Sequence, residues 1–148
     1  MAGSLKLRID NDALAEDFFD GTRLLGIVAP VKDYQLCWQL NQVLRLDFRN
    51  NNELEIQLTK KNRKYFFTVY EYKEPNSSVK HYLYNNQFDG EYLLPEVKHL
   101  DFLWLITGEE VEETTVSSLQ QSIKNINGVQ LVTELTADKI RNKQHLIF

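Results

Sequence analysis

A single cysteine in 148 residues rules out an internal disulfide and a thiolate zinc cluster, because each needs several sulfurs from the chain. Proline and glycine are sparse, at 3 and 6, which excludes collagen-like and linker-like compositions. No stretch approaches the roughly 18 consecutive apolar residues of a membrane span. The first residues, MAGSLKLRIDND, carry charges where a secretory leader needs an apolar run. Basic charge is not in excess either: a formal net charge of −4 gives no global attraction to nucleic acid or anionic lipid. These absences lead us to expect a cytoplasmic chain with no membrane partner.

What is present is the balance of a globular protein, 43% apolar and 26% charged. A chain of this length fits one domain, 1–148, and folding removes roughly 70% of its surface from water.

Leu5, Leu7 and Ile9 alternate with charged residues and predict an edge strand. RLLGIVA, from Arg23, is a short buried strand closed by Pro30. In VKDYQLCWQLNQVLRL, residues Leu36, Cys37, Leu40, Val43 and Leu44 recur at spacings of three and four and predict a helix burying that stripe. Strands follow at Leu54 to Leu58, at YFFTVYEYK and at HYLYNNQF, with turns at EPNSS and Asp89-Gly90. FLWLIT is apolar throughout, so a central strand is expected there. A second helix buries Val116, Leu119, Ile123 and Ile126, Ser117 and Gln120 offer a capping box, and Asn127-Gly128 supplies the stop. VQLVTEL is the last strand, and ADKIRNKQHLIF holds a helical turn before its apolar end.

This order predicts an α+β fold, a mainly antiparallel sheet with two helices on one face. Its outer segments, βα and βαβ, suggest a ferredoxin-like core with an inserted β-meander.

The stretch LPEVKHLDF, 94–102, resembles the bacterial family named for the pattern IPExxxVDY. Pro95, Glu96 and Asp101 match it outright, while Leu94, Leu100 and Phe102 replace its Ile, Val and Tyr. KDYQLCWQLN, 32–41, and the terminal HLIF extend the likeness over nearly the whole chain. The resemblance implies a bacterial, cytoplasmic setting and no particular mechanism. His99 falls on one of the pattern's unspecified positions, which argues against a required catalytic base there.

Pro95 suits the first position of a short helical turn, Glu96 gains from unpaired amides there, and Asp101 is placed to bond backbone where the chain enters its strand. The competing reading makes Glu96 and Asp101 an acid/base pair, which requires a desolvated carboxyl beside a substrate. Asp33, Tyr34, Trp38 and Asn41 form a second candidate set. Positions 34, 38 and 41 share a helical stripe beside the core, where Trp38 seals the boundary or, if exposed, anchors a partner.

The three histidines stand singly, without metal-ligand spacing, and Cys37 sits on the buried stripe, so neither a metal nor another cofactor is expected. KKNRK beside YFFTVYEY invites an RNA-binding reading, but the glycines of such platforms are missing and a solvated hairpin turn is expected. Between Tyr65 and Tyr92 fall 9 of the 17 aromatics. A meander that rich needs its second face covered, so Tyr70, Tyr72, Tyr82, Tyr84 and Phe148 are candidate interface residues toward a protein partner or a second copy. The leading expectation is a non-enzymatic interaction module, and the alternative is a regulatory domain for a small molecule.

Overall fold

The computed structural model describes residues 21–108, 111–136 and 139–147. The strand expected at Leu5 to Ile9 and the terminal Phe148 lie outside the described residues. The chain runs β1 (Arg23–Val28), α1 (Asp33–Val43), β2 (Arg49–Asn50), β3 (Ile56–Lys60), β4 (Arg63–Phe67), β5 (Val69–Lys73) and β6 (Lys80–Asn85). It continues through β7 (Gln87–Phe88), β8 (Glu91–Tyr92), a 3-10 turn at Pro95–Val97, β9 (Phe102–Thr107), α2 (Glu113–Lys124), β10 (Leu131–Leu135) and a 3-10 turn at Lys143–Leu146.

Six strands form one sheet in the order β10-β1-β9-β6-β5-β2, with every neighbouring pair antiparallel. The expected α+β class, with a mainly antiparallel sheet and, among the described residues, two helices, is therefore the observed one. Because β1 and β6 flank β9, and β9 and β10 flank β1, the two helical crossovers interleave in the ferredoxin-like manner. The insertion after α1 extends this core by β5 and β2.

Strand alternation divides the core in two. Leu25, Ile27, Leu83, Trp104 and Ile106 project toward Leu36, Cys37 and Leu40 of α1 and Val116 and Ile123 of α2. Leu24, Tyr82, Tyr84, Leu103, Leu105 and Leu135 project the other way, onto Ile56, Tyr65 and Phe67 of the β3–β4 hairpin and onto Leu93, Leu94, Leu100 and Leu146. The second sheet face is thus covered by the chain itself.

Several expectations change on this frame. YFFTVYEYK is two strands, β4 and β5, in different sheets, because the chain passes at Thr68 from the hairpin layer into the main sheet. HYLYNNQF likewise breaks at Asn86. Leu54 ends a 3-10 turn and does not begin a strand. Val43 is 62% exposed, off the buried stripe, since only Leu36, Cys37 and Leu40 of α1 are buried. The second helix starts at Glu113 after Glu112, with no side-chain cap, so the Ser117 and Gln120 box is not formed.

Gly26 lies in β1 directly beneath Leu100: a Cβ there would stand 2.3 Å from Leu100 Cδ1. Leu100 is fully buried and has little room to retreat. Gly26→Ala is therefore expected to cost about 1–3 kcal/mol by overpacking. Denaturant midpoints check this, and the Gly26→Ala, Leu100→Ala double variant should cost less than the sum of the singles; additive costs would show that the two positions do not meet.

Candidate functional site

Pro95 occupies the first turn of its 3-10 helix after Leu94, as its fixed φ and missing N–H favour. Glu96 reaches across 45 residues of sequence. Its Oε2 accepts from the backbone N–H of Arg141 at 2.6 Å and of Asn142 at 2.8 Å, and its Oε1 accepts from Asn142 Nδ2 at 2.9 Å. Partial burial alone would raise the Glu96 pKa, but the Asn142 side chain together with its own and these backbone amides outweighs it and holds the pKa below the ordinary value.

Asp101 serves a different segment. Its Oδ2 accepts from Ala29 N–H at 2.8 Å and its own N–H donates to Ile27 O at 2.8 Å, fastening the turn to the end of β1. Pro30, which has no N–H, follows directly, so Asp101 secures the last N–H before the proline, just past the end of β1. The two carboxylates share a turn but are held by separate backbone segments, Glu96 by residues 141 and 142 and Asp101 by Ala29. Glu96 gains from its own backbone amide, as expected, and in addition from the distant amides of residues 141 and 142.

The residue that organises this turn is Asn86, which sequence reasoning passed over. It is fully buried. Its Nδ2 donates to Val97 O at 3.1 Å and Leu100 O at 2.9 Å, and its Oδ1 accepts from Leu94 N–H at 2.8 Å. Its backbone donates to Asp101 O and accepts from Leu93 N–H. The signal available was the Asn85-Asn86 pair interrupting an alternating strand, where a polar residue falls on a buried position.

The C-terminal segment completes the clasp. Tyr84 Oη donates to Leu146 O at 2.9 Å, His145 Nδ1 lies 2.7 Å from Leu93 O, and Leu146 is fully buried. Leu146 therefore docks on its own domain. Of the tyrosines expected at an interface, Tyr70, Tyr82 and Tyr84 are buried in the two cores. Tyr72 is half-buried and stacks near His81 and Phe48. The surplus aromatics are explained by a sheet covered on both faces.

On α1 the second candidate set divides by role. Asp33 is structural, its Oδ1 accepting from Tyr34 N–H at 2.9 Å and its Oδ2 from Tyr70 Oη at 3.0 Å. Asn41 clasps Phe48, accepting from its N–H at 2.9 Å and donating to its O at 3.1 Å. Trp38 and Tyr34 are 65% and 57% exposed, one helical turn apart on the face away from the core. The boundary-packing reading of Trp38 is thereby corrected.

Other chemistry-bearing groups are committed elsewhere. Trp104 Nε1 donates to His81 Nδ1 at 2.9 Å, and Glu74 lies 3.3 Å from His81 Nε2. Burial lowers the His81 pKa against the opposing pull of Glu74. Burial, aided by Asp33, pushes the Cys37 thiol up to about 12. Lys61 and Asn62 both have positive φ, giving the two-residue hairpin turn expected of KKNRK. Two cations beside that turn pair with acids, Lys60 with Glu91 at 3.2 Å and Arg63 with Asp89 at 2.7 Å. Among the described residues no group of three metal-ligating side chains occurs. An open groove of about 450 Å³ follows the β2–β5 edge, lined by Asp47, Arg49, Tyr72 and Lys73 among others.

No protein-family model matches the chain, and none of the curated proteins matches it either. Among the described residues no helix is long and apolar enough to cross a membrane.

Proposed function

We propose that the protein is a non-enzymatic, cytoplasmic interaction module of the IPExxxVDY type, which meets a protein partner through the outer face of α1. The observation that carries this reading is the pair Trp38 and Tyr34, 65% and 57% exposed and one turn apart. Tryptophan and tyrosine are the residues most enriched among binding hot spots, because a rigid ring brings a large contact area at small entropic cost. The helix beneath them is fixed by Leu36, Cys37 and Leu40 in the core and by the Asp33–Tyr70 and Asn41–Phe48 bonds, so the rings stand on a prearranged platform. The commitment of Glu96 and Asp101 to backbone amides further supports a non-catalytic reading.

A photo-crosslinking amino acid placed at position 38 in the native host is expected to yield one discrete protein adduct, with none from exposed position 57 on the hairpin. Equal labelling from both positions, or none from 38, contradicts the proposal. Trp38→Ala is expected to remove the adduct formed from position 34 while changing stability by no more than about 0.5 kcal/mol, as an exposed side chain should. Denaturant unfolding supplies that check.

The groove along the β2–β5 edge supports a second reading, small-ligand binding, since its volume falls in the ordinary range of ligand sites. Its charges largely answer one another: Arg49 pairs with Asp47 at 3.1 Å and Lys73 approaches Glu71 at 3.8 Å. Tyr72 side-chain resonances that stay unmoved across a panel of small zwitterions would dismiss this reading.

A further inference from the structure

The two edges of the six-stranded sheet are built differently. β2 offers only two residues, includes exposed Arg49 and gives way to a 3-10 turn, all of which discourage further pairing. β10 offers five, LVTEL, with no proline, glycine or lysine. Among the described residues no strand pairs with its outer side. Leu131, at its start, is 44% exposed.

Read antiparallel about Thr133, β10 sets Leu opposite Leu and Thr opposite Thr, with Val opposite Glu between them. Leu135 belongs to the hairpin-side core and Val132 packs on the helix side, so Leu131, Thr133 and Leu135 share one face. In that register Thr133 faces Thr133, each Leu131 faces a Leu135, and each Val132 faces a Glu134. Threonine pairs and apolar pairs directly across a ladder are favourable. The two Glu134 carboxylates do not oppose one another, and each is already held by Arg23 of its own chain at 2.7 Å. A register centred on Glu134 instead would set like charges face to face, which disfavours it.

We propose that β10 is a dimerisation edge, to which a second copy of the chain adds antiparallel, β10 to β10, about a two-fold axis at Thr133. With β10 unpaired on its outer side among the described residues and the β2 edge blunted, the pairing closes as a dimer and does not propagate into a fibre. A five-residue ladder is small beside the roughly 1,200 Å² of a stable interface, so the association is weak and concentration-dependent. It is independent of the α1 surface.

Sedimentation of the full chain from micromolar to millimolar concentration is expected to show the mass rising from one chain toward two. Leu131→Lys alters an exposed side chain, so the fold should persist by circular dichroism while the dissociation constant rises about tenfold or more. In a thiol redox buffer Thr133→Cys should give a disulfide-linked dimer, whereas Val132→Cys should not, because Glu134 lies opposite it. Buried Cys37 does not compete. A single-chain mass throughout overturns the proposal, as does equal crosslinking at 132 and 133, no crosslinking at 133, or unchanged association in Leu131→Lys.

Discussion

Asn86→Ala is expected to cost about 3–5 kcal/mol, the largest loss from any single side chain in the motif region. The substitution leaves Leu94 N–H and Leu100 O without the partners they have at 2.8 and 2.9 Å, both fully buried, and takes one of two donors from Val97 O, which keeps Leu100 N–H at 3.0 Å. Each unpaired buried group costs about 1–3 kcal/mol, and a cavity adds to the loss. Such a loss is a large share of the 5–15 kcal/mol typical of a whole domain, so the variant should be only marginally folded. Asn86→Asp is expected to fare no better: it keeps the acceptor for Leu94 but turns a carboxylate oxygen toward two carbonyls. Urea midpoints measure both. A loss under about 1 kcal/mol for Asn86→Ala would mean that the turn is organised by something other than this amide.

Glu96→Ala is the second large effect, at about 2–3 kcal/mol, the order expected for hydrogen bonds to a charged group. Three donors from Arg141 and Asn142 lose their common acceptor, and the segment carrying Leu146 loses one of its polar tethers. The same group gives the protein a pH dependence of determined sign. Because the Glu96 pKa is lower in the folded chain than in the unfolded one, the unfolded state binds its proton more readily. The stabilisation is complete above the unfolded glutamate value of about 4.3 and is lost as pH falls through the lower folded value. Wild-type stability should exceed that of Glu96→Gln at neutral pH, and the gap should narrow through that acid window. A gap that stayed constant would place the contribution of Glu96 in packing and not in its charge.

These two residues show where sequence reading succeeds and where it stops. Alternation and apolar runs located β1, β9 and β10, and the three-and-four spacing located both helices, because such periods are local consequences of which face is buried. The split-βαβ order was legible for the same reason: it needs only the sequence of elements. The assignment of Pro95, Glu96 and Asp101 to backbone shaping also followed from residue chemistry. The partners did not, since Glu96 answers to residues 141 and 142 and Asp101 to Ala29, pairings set by tertiary closure and by no local pattern.

The aromatic strands misled for a related reason. Tyr65 and Phe67 belong to one layer and Tyr70 to another, and the switch at Thr68 that lets the hairpin cover the sheet leaves no mark in a continuous run of strand-forming residues. Trp38 was placed at the core boundary by a general habit of large aromatics, whereas the residues of α1 buried against the sheet are Leu36, Cys37 and Leu40. Its exposure is what moved the candidate surface from the sheet to the helix.

Amide hydrogen exchange at Ala29, Arg141 and Asn142 tests most directly whether the motif carboxylates work as fasteners of the backbone. In the wild-type protein all three amides should exchange slowly. Glu96→Gln should selectively speed Arg141 and Asn142, and Asp101→Asn should selectively speed Ala29. Exchange at unprotected rates in the wild type, with no change in either variant, would contradict this role and return Glu96 and Asp101 to consideration as free functional groups.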